Sequence, residues 1–412
     1  MSTGYWLTNV RLESGICLEH GEVVGTTTEN CRIRIENGVI AEIVASEQPL
    51  KTELPCMDGE DLLLLPAFRE MHIHLDKTYY GGPWQACMPA TSVFDRIKEE
   101  EELLLRQLPT AQARAEALIQ LVAKHGATHI RTHCNIDPVV GLRNLAATKA
   151  ALAGYEGVIS SEIVAFPQHG LLRSDSVALM KAALQEGATI VGGVDPATVD
   201  ENIEKALNTI IELAVASGSG VDLHLHDGGQ LGIHTMRRLV ALVVEAGLQG
   251  KAMVSHAFAL ADVAPAEAAD VAAELAFAGI GIASTVPIDM PTIPIPLLHE
   301  KGVKVCLGND SITDHWDPFG TGDLLQKASR MAERFGWSDE RSLAEALGFI
   351  TGGKKPLSPN GKRVWPAVGD EASMVLVQAS CAAEAVARRA KRRAVLAKGQ
   401  VISGSIRQAG LR

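Results

Sequence analysis

From about residue 62 onward, short apolar runs of strand length alternate with longer segments whose apolar residues recur at helical spacing. The strand-like runs fall at residues 62–65, 128–133, 158–166, 189–194, 221–226, 252–256, 279–283 and 304–307. Helical patterns lie between them at 111–125, 142–153, 176–185, 200–217, 233–246, 265–278 and 294–300, several closing near a glycine (Gly187, Gly247, Gly302), as helix C-termini do. Eight β units alternating with helices predict an α/β fold of the (β/α)8 TIM-barrel type. A doubly wound open sheet is the alternative, but no G-x-G-x-x-G turn follows the first run.

The ends of the chain have a different texture. Residues 9–12, 32–36 and 39–44 alternate as strands do, with Asn37-Gly38 as a hairpin turn between the last two, and strand character returns at 373–378, 393–396 and 398–402. These segments are expected to pair into a small discontinuous β-sandwich domain, residues 1–61 and 356–412, beside a barrel spanning 62–355. The Ala/Arg-rich stretch 382–393 predicts a surface helix. The acidic run at 99–102 predicts a solvated helix face.

Composition narrows the function classes. Across 412 residues, 47% hydrophobic and 21% charged content describe an ordinary soluble globular protein. A formal net charge of −11 argues against nucleic-acid or anionic-membrane partners. The opening stretch MSTGYWLTNVRLESG shows neither a basic nor an apolar signal region, and no apolar run approaches the ~20 residues that span a bilayer. The seven cysteines are scattered without a C-x-x-C, so reduced thiols and a cytoplasmic location are expected.

In a barrel of this type, chemistry collects at the C-terminal ends of the strands. His72 and His74 follow the first run; two residues apart on an extended chain, they point to the same side. Later runs end in His133 and Asp137, then Gln168 and His169, then Asp195, then His224, His226 and Asp227, then Ser255 and His256, and lastly Asp310. Few histidines fall in helix bodies. Such a distribution points to a metal site: one divalent ion held by His72, His74 and His224 through nitrogen and by Asp310 through oxygen. That donor set suits zinc or iron(II) better than an all-thiolate or all-oxygen site does. A water on such an ion becomes far more acidic, with Asp310 placed to accept its proton and His256 to hydrogen-bond the oxygen. Two-metal versions of such sites commonly need a carboxylated lysine from a middle strand, and the third to fifth runs contain no lysine.

The segments HIHLDK, THCNID, VAFPQ, VGGVDPAT, HLHD, SHA and GND, in this order, resemble the amidohydrolase superfamily, and within it the cytosine deaminase-like group. The resemblance covers essentially the whole chain. It implies His72, His74, His224 and Asp310 as ligands of one Zn2+ (or Fe2+), His256 beside the activated water, and His226 as proton shuttle. It also matches Gln168 to the glutamine that reads a ring amide edge. Two departures stand out. Where cytosine deaminases carry an acid/base glutamate, Asp227 is one methylene shorter and follows His226. Ser311 stands where they carry a second aspartate. Both changes favour a branch acting on triazine-type rings.

Lys77 is a further candidate for substrate contact, unless it pairs with Asp76 or Asp137 on the rim. Trp316 is a candidate for stacking on the ring. The expected activity is hydrolytic release of ammonia or an amine from an amino-substituted pyrimidine or s-triazine-type ring, cytosine- or isocytosine-like rings included. The partner is thus a small heterocycle; barrels of this kind commonly associate, so a homo-oligomer is expected. The alternatives are opening of a cyclic amide, or metal binding without turnover.

Overall fold

The computed structural model describes residues 4–409. The chain opens with β1 (Gly4–Glu19), β2 (Glu22–Glu36), β3 (Val39–Ala45) and β4 (Cys56–Pro66). Asn37 and Gly38 turn β2 into β3 with φ of 52° and 79°, the left-handed pair that a two-residue hairpin requires.

There follow β5 (Phe68–Ile73), β6 (Ala127–Asn135), β7 (Ser160–Phe166), β8 (Ile190–Val194), β9 (Gly220–Leu225), β10 (Ala252–His256), β11 (Gly281–Ser284) and β12 (Val305–Leu307). These eight are parallel and hydrogen-bonded in sequence order, β5 through β12. A parallel bridge between Ile73 and Asp310 joins the last strand's end to the first. At that seam Gly308 has no room for a side chain, since a Cβ there would lie 2.5 Å from His72 Cβ. Helices close to the expected spans cover the barrel, among them Ala111–Lys124, Ile203–Ser217 and Pro265–Phe277. No helix among the described residues is long and apolar enough to cross a membrane.

At the other end of the chain, β13 (Met374–Val377), β14 (Arg392–Ala397), β15 (Gln400–Gly404) and β16 (Arg407–Gln408) return to the opening strands. All eight chain-end strands hydrogen-bond into one mixed sheet, ordered β15-β14-β13-β4-β1-β2-β3, with β16 against β4. Its own core holds Leu7, Ile33, Ile35, Leu64, Met374 and Leu396, while Leu63, Leu65, Val375 and Val377 turn to the barrel core.

Two expectations change. The run 62–65 is not the first barrel strand: it lies in β4, between β1 and β13, and the barrel starts at Phe68. It is continuously apolar because it is pressed between two cores. The surface helix expected at 382–393 shrinks to Ala382–Ala387 with Ala382, Ala383, Ala385 and Val386 buried, and Arg392 already belongs to β14.

Candidate active site

The C-terminal end of β5 places His72 and His74 inside the barrel mouth, both buried. Asp310, across the seam, approaches both: its Oδ1 lies 3.3 Å from each Nε2. The Asp310 amide donates to His72 O at 2.7 Å, so backbone pairing sets this approach. From β10, His256 Nε2 stands 3.8 Å from Asp310 Oδ2. His224, at the end of β9, packs between His72 (ring centroids 4.6 Å) and Phe166, on which it stacks at 4.1 Å.

Two triads bring ligand atoms within 4.8 Å of one another: His72, His74 and Asp310, and His72, His133 and His224. His72 belongs to both. His133, on β6, sits at a strand end that the sequence pattern marks without a role; its ring lies 4.2 Å from that of His72 and 4.4 Å from that of His224.

Whether these residues suit a metal ion is answered by their unmet bonding. His72 Nε2, His74 Nδ1, His256 Nδ1 and both ring nitrogens of His133 and His224 are buried without a hydrogen-bond partner. Such atoms are rare in folded proteins unless a ligand satisfies them. Burial and the neighbouring imidazoles hold His133 and His224 well below the ordinary histidine range, and burial with the Lys77 charge brings His74 down to about 3, so these rings carry free lone pairs. Burial raises Asp310, but His72 and His256 outweigh it and keep the carboxylate ionised. Neutral imidazoles around an anionic carboxylate form a donor set for a divalent cation.

The tautomer of His72 follows from its support. Arg131 donates to Asp222 at 3.0 Å, and Ser255 Oγ donates to Asp222 Oδ1 at 2.7 Å. With its proton so committed, Ser255 accepts from His72 Nδ1 at 2.8 Å, leaving the Nε2 lone pair directed into the site.

His226 and Asp227 diverge. Asp195, at the end of β8 with φ of 35°, accepts from His226 Nδ1 at 2.8 Å and from the Asp227 amide at 3.1 Å. Burial would lower His226, but Asp195 outweighs it and the net shift is upward. The His226 side chain keeps 39% exposure, and its ring stands 4.4 Å from that of His256. The Asp227 carboxylate instead faces the β8 loop, taking the Thr198 hydroxyl and the Ala197 amide. His256 and Asp310 also hold positive φ, 72° and 64°, in the left-handed region that non-glycine residues seldom occupy.

A second wall holds a residue that the sequence pattern misplaces. Glu100, from the run expected to be solvated, is 0% exposed. It lies on the helix Val93–Gln107, whose buried face includes Ile97, Leu103 and Leu104, so its position three residues from Ile97 was the available signal. Five donors meet its carboxylate: His315 Nε2 (2.8 Å), Trp316 Nε1 (3.1 Å) and Lys77 Nζ (3.4 Å) at Oε1, Asn135 Nδ2 (2.9 Å) and His169 Nε2 (3.0 Å) at Oε2. Burial alone would raise Glu100; Lys77, His169 and His315 drive it well below the carboxylate range.

Lys77 is 1% exposed, and its second contact is Gln168 Oε1 at 3.0 Å. Neither rim acid takes it. Asp76 accepts from the Asn135 amide and from Asn144, and Asp137 from the amides of Val139 and Val140. Gln168, Lys77 and Trp316 are therefore brought together, but through Glu100.

The family model described as "Amidohydrolase family" matches residues 156–404. The Escherichia coli (strain K12) protein YahJ is 45% identical over 405 residues, covering 98% of this chain and 88% of that protein. N-isopropylammelide isopropyl amidohydrolase of Pseudomonas sp. (strain ADP) is 29% identical over 355 residues, covering 84% and 87%. Among solved structures, N-isopropylammelide isopropylaminohydrolase from Burkholderia multivorans ATCC 17616 superposes with a TM-score of 0.85 at 30% identity, covering 99% of this chain and 100% of that one. With the barrel, the imidazole cluster and these relatives in agreement, the chain belongs to the amidohydrolase family and is a hydrolase acting on carbon–nitrogen bonds.

Proposed function

We propose that the protein is a metal-dependent aminohydrolase that releases ammonia or an alkylamine from an amino-substituted s-triazine or pyrimidine ring, N-isopropylammelide-like or cytosine- and isocytosine-like. The observation that carries this reading is the meeting of Asp310 with His72, His74 and His256 beside a histidine held by its own carboxylate. His72, His74, His224 and Asp310 would hold one divalent ion, Zn2+ first and Fe2+ second. When bound, the ion supplies Lewis acidity and lowers the pKa of a coordinated water, from ~15.7 to ~7 for zinc.

The chain's own groups handle the protons. Asp310, kept ionised, accepts a proton from the attacking water as its oxygen bonds to the ring carbon bearing the amine. His256 lies beside Asp310 to steady the oxygen. With its Nδ1 bound to Asp195, His226 exchanges protons through Nε2 and delivers one to the departing nitrogen as the C–N bond breaks. Asp227 is occupied by Thr198 and Ala197, which supports His226 as the shuttle. Water adds, the amine leaves, and the carbon that bore it becomes a ring carbonyl carrying the water's oxygen.

A single ion is supported by the absence of lysine from β7, β8 and β9 and by the commitment of Lys77 to Glu100. The seven cysteines are unpaired, in keeping with a cytoplasmic location. The test is amine release by zinc-loaded protein from cytosine, isocytosine, creatinine, aminotriazines and N-isopropylammelide. Release from at least one is expected; opening of cyclic amides with no amine released across the panel overturns the proposal.

A further inference from the structure

The mechanism above uses the imidazole side of the site and leaves the Glu100 wall without a task. We infer that Lys77 and Glu100 are positioning residues that fix the orientation of the Gln168 amide, so that Gln168 offers the pocket its N–H donors and withholds its carbonyl. The ligand edge that Gln168 reads is then an acceptor, a ring oxo group. The inference deepens the proposed function by naming the edge of the heterocycle that is recognised.

An amide oxygen and nitrogen are nearly the same size, and their placement follows from the partners. Here one partner decides it. A lysine ammonium has donors only, so the Gln168 atom 3.0 Å from Lys77 Nζ is the oxygen. Among the described residues no protein acceptor meets Gln168 Nε2, which is left for the pocket. Lys77 can hold this orientation only while it stays charged and in place. Buried at 1% exposure, it would be costly to ionise without a counter-charge, and Glu100 provides one at 3.4 Å.

Glu100 is in turn anchored from four further directions by Asn135, His169, His315 and Trp316. These belong to the end of β6, the loop after β7 and the loop after β12. The wall is therefore assembled from separate parts of the barrel mouth around one carboxylate. Trp316, the expected stacking residue, is held by the same group, and Lys77 Nζ lies 5.4 Å from its ring centroid.

The experiment measures binding rather than turnover. Barbituric acid, an oxo-only pyrimidine with no amine to release, is compared with triaminopyrimidine, its amino-only counterpart, by calorimetry on zinc-loaded protein. Wild type is expected to bind barbituric acid more tightly. Gln168→Glu keeps a partner for Lys77 but replaces the outward donors with an acceptor, and is expected to invert the preference. Lys77→Met frees the amide to rotate and is expected to shrink the preference by about tenfold, the loss of one charge-assisted hydrogen bond, with zinc content unchanged. A merely structural lysine would weaken both ligands equally.

Binding of neither ring by wild type, a preference for the amino ring, or variants that discriminate as wild type does would each overturn the inference. Amine release from the substrate panel is scored separately. Its absence with the binding pattern intact removes the reaction and keeps the wall; the reverse removes the wall and keeps the reaction.

Discussion

At the ends of β6, β9 and β10, buried ring nitrogens of His133, His224 and His256 stand without hydrogen-bond partners. On the other side, the Glu100 carboxylate is met by five donors and Lys77 by two acceptors. Both regions are buried and polar, yet one is open to a ligand and the other is closed upon itself. A buried polar group left unpaired costs free energy, which a bound cation can return. A satisfied network instead rigidifies its members. The first region has the donor set that fits a divalent cation, the second holds a shape.

That contrast can be broken most severely by removing a nitrogen. His224→Asn should reduce turnover on the order of 10^3-fold or more, while the melting temperature of the chelated protein changes little, since the ring makes no hydrogen bond to lose. A large loss of stability in the metal-free state would show that the imidazoles are structural. Glu100→Leu should act on stability first. Leaving Lys77 buried without its counter-charge is expected to cost about 3–5 kcal/mol, read by denaturant unfolding of the chelated protein. An unchanged midpoint would mean that the network contributes nothing to folding.

The support of His72 gives the smallest and sharpest test. Ser255→Ala removes the acceptor that fixes its tautomer, and zinc affinity measured by competition with a chelator should fall about 10- to 100-fold. Unchanged affinity would place the control of His72 elsewhere.

Much of the imidazole cluster was legible because a short motif and a rule of barrel topology carry it. Once the strands are ordered, the residue at each strand end is known, and His72, His74, His224, His256 and Asp310 do come together. The first strand itself was misplaced. Phe68–Ile73 carries Arg69, Glu70 and His72, and these polar side chains mask the strand, whereas β4 carries four consecutive leucines. The Glu100 wall was illegible for another reason. An acidic residue among Glu99, Glu101 and Glu102 has no local mark of burial, because the donors that bury it lie at Lys77, Asn135, His169, His315 and Trp316. Its place is a property of the tertiary fold.

The seam where Asp310 pairs with the backbone of His72 and Ile73 has a consequence for synthesis. A nascent chain emerges with both members of the HIHLDK pair long before the aspartate that faces them. Until residue 310 is made and the barrel has closed on Gly308, the histidines lack their anionic partner and the geometry that aims it. On the proposed reading, tight capture of an ion is therefore a late event, available to a closed barrel and denied to a fragment that stops short of residue 310.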